Sequence, residues 1–236
     1  MHRRIALLIS TCMLWLSSPS HAAEYATFDT SACEPESQSR LLWLIDRLES
    51  RERYADLWWR GWMGIYGIGA IVEGVAAGVE DDRGKRADDI VSAVKAVGGV
   101  TRLYFMAPAA RLGADPLREV PITSAADCEE RVEQGEALLE KAAHDSKRRW
   151  DWKAHFFNVA INMAGAVIVA EGFDEDDGWT SGAVGIAVGE AMIWSHPWKG
   201  DSDLAEYESR FQRHGAMPAT WNVVPYGRGM RLVARF

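Results

Sequence analysis

Residues 61–79, GWMGIYGIGAIVEGVAAGV, decide the fold. The run is entered through Trp58 and Trp59 and left through Glu80, Asp81 and Asp82. Its apolar residues extend too far for a strand and suit a helix. Its glycines, however, each weaken an isolated helix by up to about 1 kcal/mol relative to alanine. Close approach of a neighbouring backbone is the usual compensation, and Gly74 and Gly78, four apart, have the spacing of a small-residue helix contact. Gly182, Gly185 and Gly189 carry a comparable pattern later in the chain.

The design returns at residues 152–172, WKAHFFNVAINMAGAVIVAEG, which meet Asp174, Glu175, Asp176 and Asp177. A shift of 94 residues pairs Leu44 with Leu138, Trp58 with Trp152, Ala70 with Ala164, Gly78 with Gly172 and Val94 with Val188. One further residue brings Cys33 onto Cys128. The expected fold is therefore all-α, a tandem repeat of two helical modules. Each module holds an amphipathic helix (36–60; 128–152), an apolar helix, an acidic turn and a returning helix (87–107; 181–195). Pro108 and Pro197 mark where the hairpins stop.

Outside the modules, the first residues read as a secretory signal peptide: Arg3 and Arg4, an apolar core over residues 5–16, then Ser20 and Ala22 at the small-residue positions before a cleavage point. The expected division is 1–22 signal peptide, 23–117 first module, 118–217 second module and 218–236 a β-like tail. Residues 221–224 and 230–236 flank Pro225-Tyr226-Gly227-Arg228-Gly229, which predicts a short hairpin or extended tail. With terminal Phe236 this stretch resembles the final strand of outer-membrane barrels, but nothing upstream supplies the other strands.

Cleavage after Ala22 takes two of the 26 Lys/Arg and leaves all 34 Asp/Glu, a formal charge of −10 on 214 residues. This balance argues against nucleic acid as a partner. Two cysteines remain, Cys33 and Cys128, and export makes a disulfide between them the expected state.

The apolar runs are near the length that crosses a bilayer, and aromatic and basic residues crowd one end of each hairpin: Trp58, Trp59, Trp62 and Arg102; Trp150, Trp152, Lys153 and Trp194. Against spanning, each run carries an ionisable residue: Glu73, Lys95, His155 with Glu171, and Glu190. The acidic turns would also face the cytoplasm, against the positive-inside bias. Glu73, Lys95, Glu171 and Glu190 are the candidate buried charges; grouped in a membrane they would suit a relay for protons or ions.

The acidic turns lack the alternating ligands of a calcium loop, the histidines lack zinc spacing, and nucleotide and hydrolase-elbow motifs are absent. No cofactor and no metal are expected. The leading expectation is a non-enzymatic structural or interaction protein of a bacterial cell envelope. It is exported and membrane-associated, with the membrane or another envelope protein as partner and homo-oligomerisation left open. The alternatives are a small channel or transporter-like element, and an envelope hydrolase using His155 with Glu171. For that last pair, sixteen residues of continuous helix set a separation of about 24 Å.

Overall fold

The structure, a computed structural model, describes residues 29–119, 121–197 and 199–212, and beyond them only the backbone of 220–226 and 229–235. The expected signal peptide, residues 1–22, lies outside the described residues.

Among the described residues the fold is helical, with seven α-helices: α1 (Pro35–Val79), α2 (Arg83–Phe105), α3 (Asp115–Arg118), α4 (Ala125–Trp150), α5 (Trp152–Phe173), α6 (Asp177–Trp194) and α7 (Gly200–Tyr207). A 3-10 turn, Ala109–Leu112, follows α2, and a π-helical turn, Glu208–Gln212, follows α7. The tail backbone runs antiparallel between Thr220–Tyr226 and Gly229–Arg235.

Helix α1 is 45 residues long, about 68 Å. It carries the amphipathic segment straight into the glycine-rich one, because Trp58-Trp59-Arg60-Gly61-Trp62 holds no proline to break the helix and no Ser, Thr, Asp or Asn to cap a new start. Before the second apolar run the chain does break. Asp151 takes an extended conformation (ψ 139°) and its carboxylate accepts from Lys153 N–H at 2.9 Å, capping α5. The hairpin turns are equally local in origin. Asp82 caps α2 by accepting from the N–H groups of Gly84 and Lys85, and Asp174 ends α5 in the left-handed conformation at φ 57°.

The helices form two regions. In the head, the start of α1 packs on α4, and α7 packs on α4. Leu41, Leu44, Ile45 and Leu48 meet Leu117, Val132, Leu139 and Tyr207 in its core. Helix α4 turns one apolar face inward and ends on Lys147, Arg148 and Arg149, which complement its dipole. Cys33 and Cys128 are bonded across the start of the head, with Cα atoms 5.4 Å apart. Such a bond belongs to an oxidising compartment.

The second region is a pair of hairpins, α1 (from residue 61) with α2 and α5 with α6, joined through α2. Both acidic turns lie at the same end, where Gly84 sits against Glu175 and the Arg83 guanidinium lies 5.5 Å from the Phe173 ring. The close approach expected of the glycines occurs in the second hairpin. Gly178, Gly182, Gly185 and Gly189 of α6 receive Val169, Ala166, Asn162 and Asn158 of α5. It does not occur at Gly74 and Gly78, where an added β-carbon would meet nothing within 4 Å. Those two glycines lie on the outer side of α1, so their spacing marks no helix contact within the chain.

Candidate functional site: a polar cleft between the hairpins

In water a helical bundle hides its apolar side chains, but the hairpin region shows them. Of 27 exposed large hydrophobic residues among those described, 23 fall between residues 61–105 and 152–194. Ile71, Val75, Val94, Phe105 and Trp152 are each more than 60% exposed. The head contributes four. Two helices, Pro35–Val79 and Trp152–Phe173, contain windows apolar enough to cross a membrane, and 0% and 22% of those windows are buried within the protein. A core helix of a water-soluble protein would bury most of such a window. A monomer in water rarely gathers so many exposed apolar side chains in one region.

Polar residues occupy the inner side of the same helices. On α2, Asp88, Ser92, Lys95, Gly99 and Arg102 recur at intervals of three and four and therefore share one face. That face lines a cleft of about 800 Å³ together with Tyr66 and Glu73 of α1, Asn158 and Asn162 of α5, and Asp177 and Ser181 of α6. Ser92 and Ser181 bridge the two hairpins at 3.2 Å. The Tyr66 ring packs against α2 at Gly99, where a β-carbon would come within 2.7 Å of it. Asp88 Oδ1 is buried with no hydrogen-bond partner.

Of the four charges singled out from the sequence, Glu73 and Lys95 are partly buried and line this cleft. Glu190 is partly buried elsewhere, between α5 and α6. Its carboxylate pairs with His155 Nδ1 at 2.7 Å and accepts from Asn158 Nδ2 at 3.0 Å. Glu171 is exposed near the acidic tip of the second hairpin. His155 therefore engages Glu190 rather than Glu171, and the residue pair of the hydrolase reading is not assembled. The sequence reading named His155 and Glu190 separately without joining them. An antiparallel hairpin turning at residues 174–176 runs the two helices past each other, which brings the stretch holding His155 within a turn or so of the level of Glu190 and is the signal that could have found the pair.

An aromatic collar closes the cleft end nearest the head. The indole N–H groups of Trp58 and Trp62 both donate to Ser195 Oγ at 3.1 Å, and that of Trp59 donates to the Leu103 carbonyl at 2.9 Å. Trp150 packs edge-on to Trp194 at 4.9 Å. Two basic side chains, Arg149 and His196, are sealed into the collar. Arg149, 2% exposed, places its guanidinium 5.7 Å from the Trp58 ring and donates to the Met106 carbonyl. Desolvation, with Arg102 and Arg148 adding repulsion, lowers its pKa to about 10. His196, also 2% exposed, stands edge-on to Trp58 at 4.8 Å. Burial first, and the Arg149 charge second, lower its pKa to about 3, so it is neutral at physiological pH.

No group of three or more His, Cys, Asp or Glu among the described residues is arranged to hold a metal ion. Comparison with family models, curated proteins and solved structures gives no match for this chain.

Proposed function

We propose that this chain is an exported, non-enzymatic envelope protein with its two hairpins embedded in a membrane and its disulfide-clipped head standing in the oxidising compartment outside. The observation that carries this reading is the inversion of polarity between the two regions: the head is apolar within, whereas the hairpins are apolar without and polar within. In hydrocarbon that inversion removes the cost of the 23 exposed apolar side chains and shelters the ionisable ones. The lengths agree as well. Residues 61–79 extend about 28 Å and α5 about 33 Å, against a hydrocarbon thickness of about 30 Å. Exposed Trp152, Trp194, Tyr104 and Phe105 sit at the collar level, where interfacial aromatics are favoured.

The two halves are best read as copies of one duplicated unit, each a head helix leading into a hairpin and clipped to the other near its start. Thr220–Tyr226 and Gly229–Arg235 pair as a short β-hairpin. The role is structural or interactive, with the membrane itself as first partner. A second reading, a small channel or transporter-like element, is favoured by the charged cleft alone. Alkaline carbonate extraction of the tagged protein tests the embedding. The protein stays with the membrane pellet and its hairpins resist added protease; release into the supernatant sinks both readings.

A further inference from the structure

The cleft has two properties that together specify a ligand. Its floor carries both signs of charge in order, with Glu73 and Asp88 towards the acidic tips and Lys95 seven residues further along α2, about 10 Å in axial rise. Lys95 is half-buried, with Asp88 and Glu73 near enough to act on its charge but forming no hydrogen bond or ion pair within 4 Å with it among the described residues, and Asp88 Oδ1 is buried without a partner. Its lips are apolar and exposed: Ile65 52%, Val94 65%, Phe157 58% and Val184 57%. The cleft opens sideways, because α1 packs on α2 but forms no comparable contact with α5 or α6.

A simple cation placed here would meet Lys95, and a simple anion would meet Glu73 and Asp88. A ligand with an ammonium at one end of its head and an acid at the other satisfies both. The lips continue the apolar outer surface of the hairpins, so the ligand's remaining part is hydrocarbon. We propose that the cleft seats a phosphoethanolamine-type zwitterionic lipid, ammonium on Glu73 and Asp88, phosphate on Lys95, and acyl chains along Val94 and Val184. This rests on the membrane embedding argued above.

The test uses the full chain, purified in mild detergent and offered phosphatidylethanolamine, phosphatidylglycerol and phosphatidylcholine with identical acyl chains in equal amounts, with bound lipid read by native mass spectrometry. Phosphatidylglycerol lacks the ammonium and phosphatidylcholine lacks its N–H donors, so retention of phosphatidylethanolamine is expected to exceed both by roughly tenfold, the scale of a charge-assisted hydrogen bond. Glu73→Gln abolishes that preference, and Lys95→Gln lowers retention of all three lipids about tenfold. Val184→Trp, which fills the lip without altering charge, blocks retention even where a charge variant fails to fold. Equal retention of the three lipids by the wild-type chain, or a preference unchanged in all three variants, overturns the proposal. Displacement of the lipid by equimolar soluble phosphoethanolamine overturns the lipid as its source. Carbonate extraction keeps the two failures apart: a chain that stays in the membrane without lipid preference loses this site alone, whereas a released chain loses the embedding too.

Discussion

A β-carbon added at Gly182 would come within 2.7 Å of the Ala166 β-carbon and 3.2 Å of the Asn162 carbonyl oxygen. The second hairpin is therefore closed to side chains along this line, and its two helices approach at backbone distance. Gly182→Val forces them apart, at a cost of about 1 to 3 kcal/mol typical of overpacking. Gly74→Ala meets nothing within 4 Å and adds a better helix former. Thermal unfolding in detergent should show a lower Tm for Gly182→Val and an unchanged or higher one for Gly74→Ala. The reverse order would mean that the glycines of α1, and not those of α6, make the close contact.

That contrast shows what the sequence could reveal. The hairpins were legible, because apolar glycine-rich runs broken by Glu80-Asp81-Asp82 and by Asp174-Glu175-Asp176 leave little alternative to helix, turn, helix. Which glycines touch a neighbour was not. The spacing of Gly74 and Gly78 matches that of Gly185 and Gly189, and only the rotation of each helix about its axis, set by distant packing, separates them. The same applies to the charges. Glu73 and Lys95 turn into the cleft, Glu171 turns out, and Glu190 finds His155, although all four stand in similar Gly/Ala surroundings. The unbroken passage of α1 from head to hairpin was readable only as the lack of a cap at residues 58–62, which the Asp151 cap of the other half makes clear by contrast.

The head depends on a buried carboxylate. Asp203, 3% exposed, accepts from Arg51 Nε at 2.7 Å and from Arg47 at 3.0 Å, tying α7 to α1. Asp203→Ala leaves two guanidinium groups without their shared anion, and removing one partner of a buried pair costs on the order of 3 kcal/mol. Denaturant unfolding of the detergent-solubilised protein should show that loss, while carbonate extraction leaves the variant in the membrane because the hairpins are untouched. A change below about 0.5 kcal/mol would reduce the cluster to a surface ion pair.

The Cys33–Cys128 bond closes a loop of 95 residues. In the chain-entropy view, losing a crosslink over a loop of that length costs about 4 to 5 kcal/mol. Cys128 is fully buried, so reductant reaches it only when the head opens. Cys33→Ser with Cys128→Ser should lower the Tm of the head and speed its proteolysis outside the membrane. In the intact protein, alkylation without reductant should find neither thiol. Two reactive thiols in protein taken directly from cells would remove the clip.

His196 gives the protein a defined response to acid. The unfolded chain takes up a proton at this position near the ordinary value of 6.5, whereas the folded protein resists until about pH 3. A group whose pKa is depressed by folding contributes stability that is complete above the unfolded value and is lost as pH falls towards the folded one. Stability should therefore decline from about pH 6.5 downward, by at most about 1.4 kcal/mol per pH unit from this group. Carboxylates dominate below about pH 5, so the comparison is made between about pH 6.5 and 5, where removing His196 separates its proton from those of the other histidines. His196→Gln keeps a neutral polar side chain beside Trp58 and Arg149 and removes the titration. In denaturant titrations across that window, the wild-type slope should exceed the variant's by up to one proton. Parallel slopes would show that His196 takes up its proton as readily in the folded state as in the unfolded one despite Arg149, and that water reaches the collar.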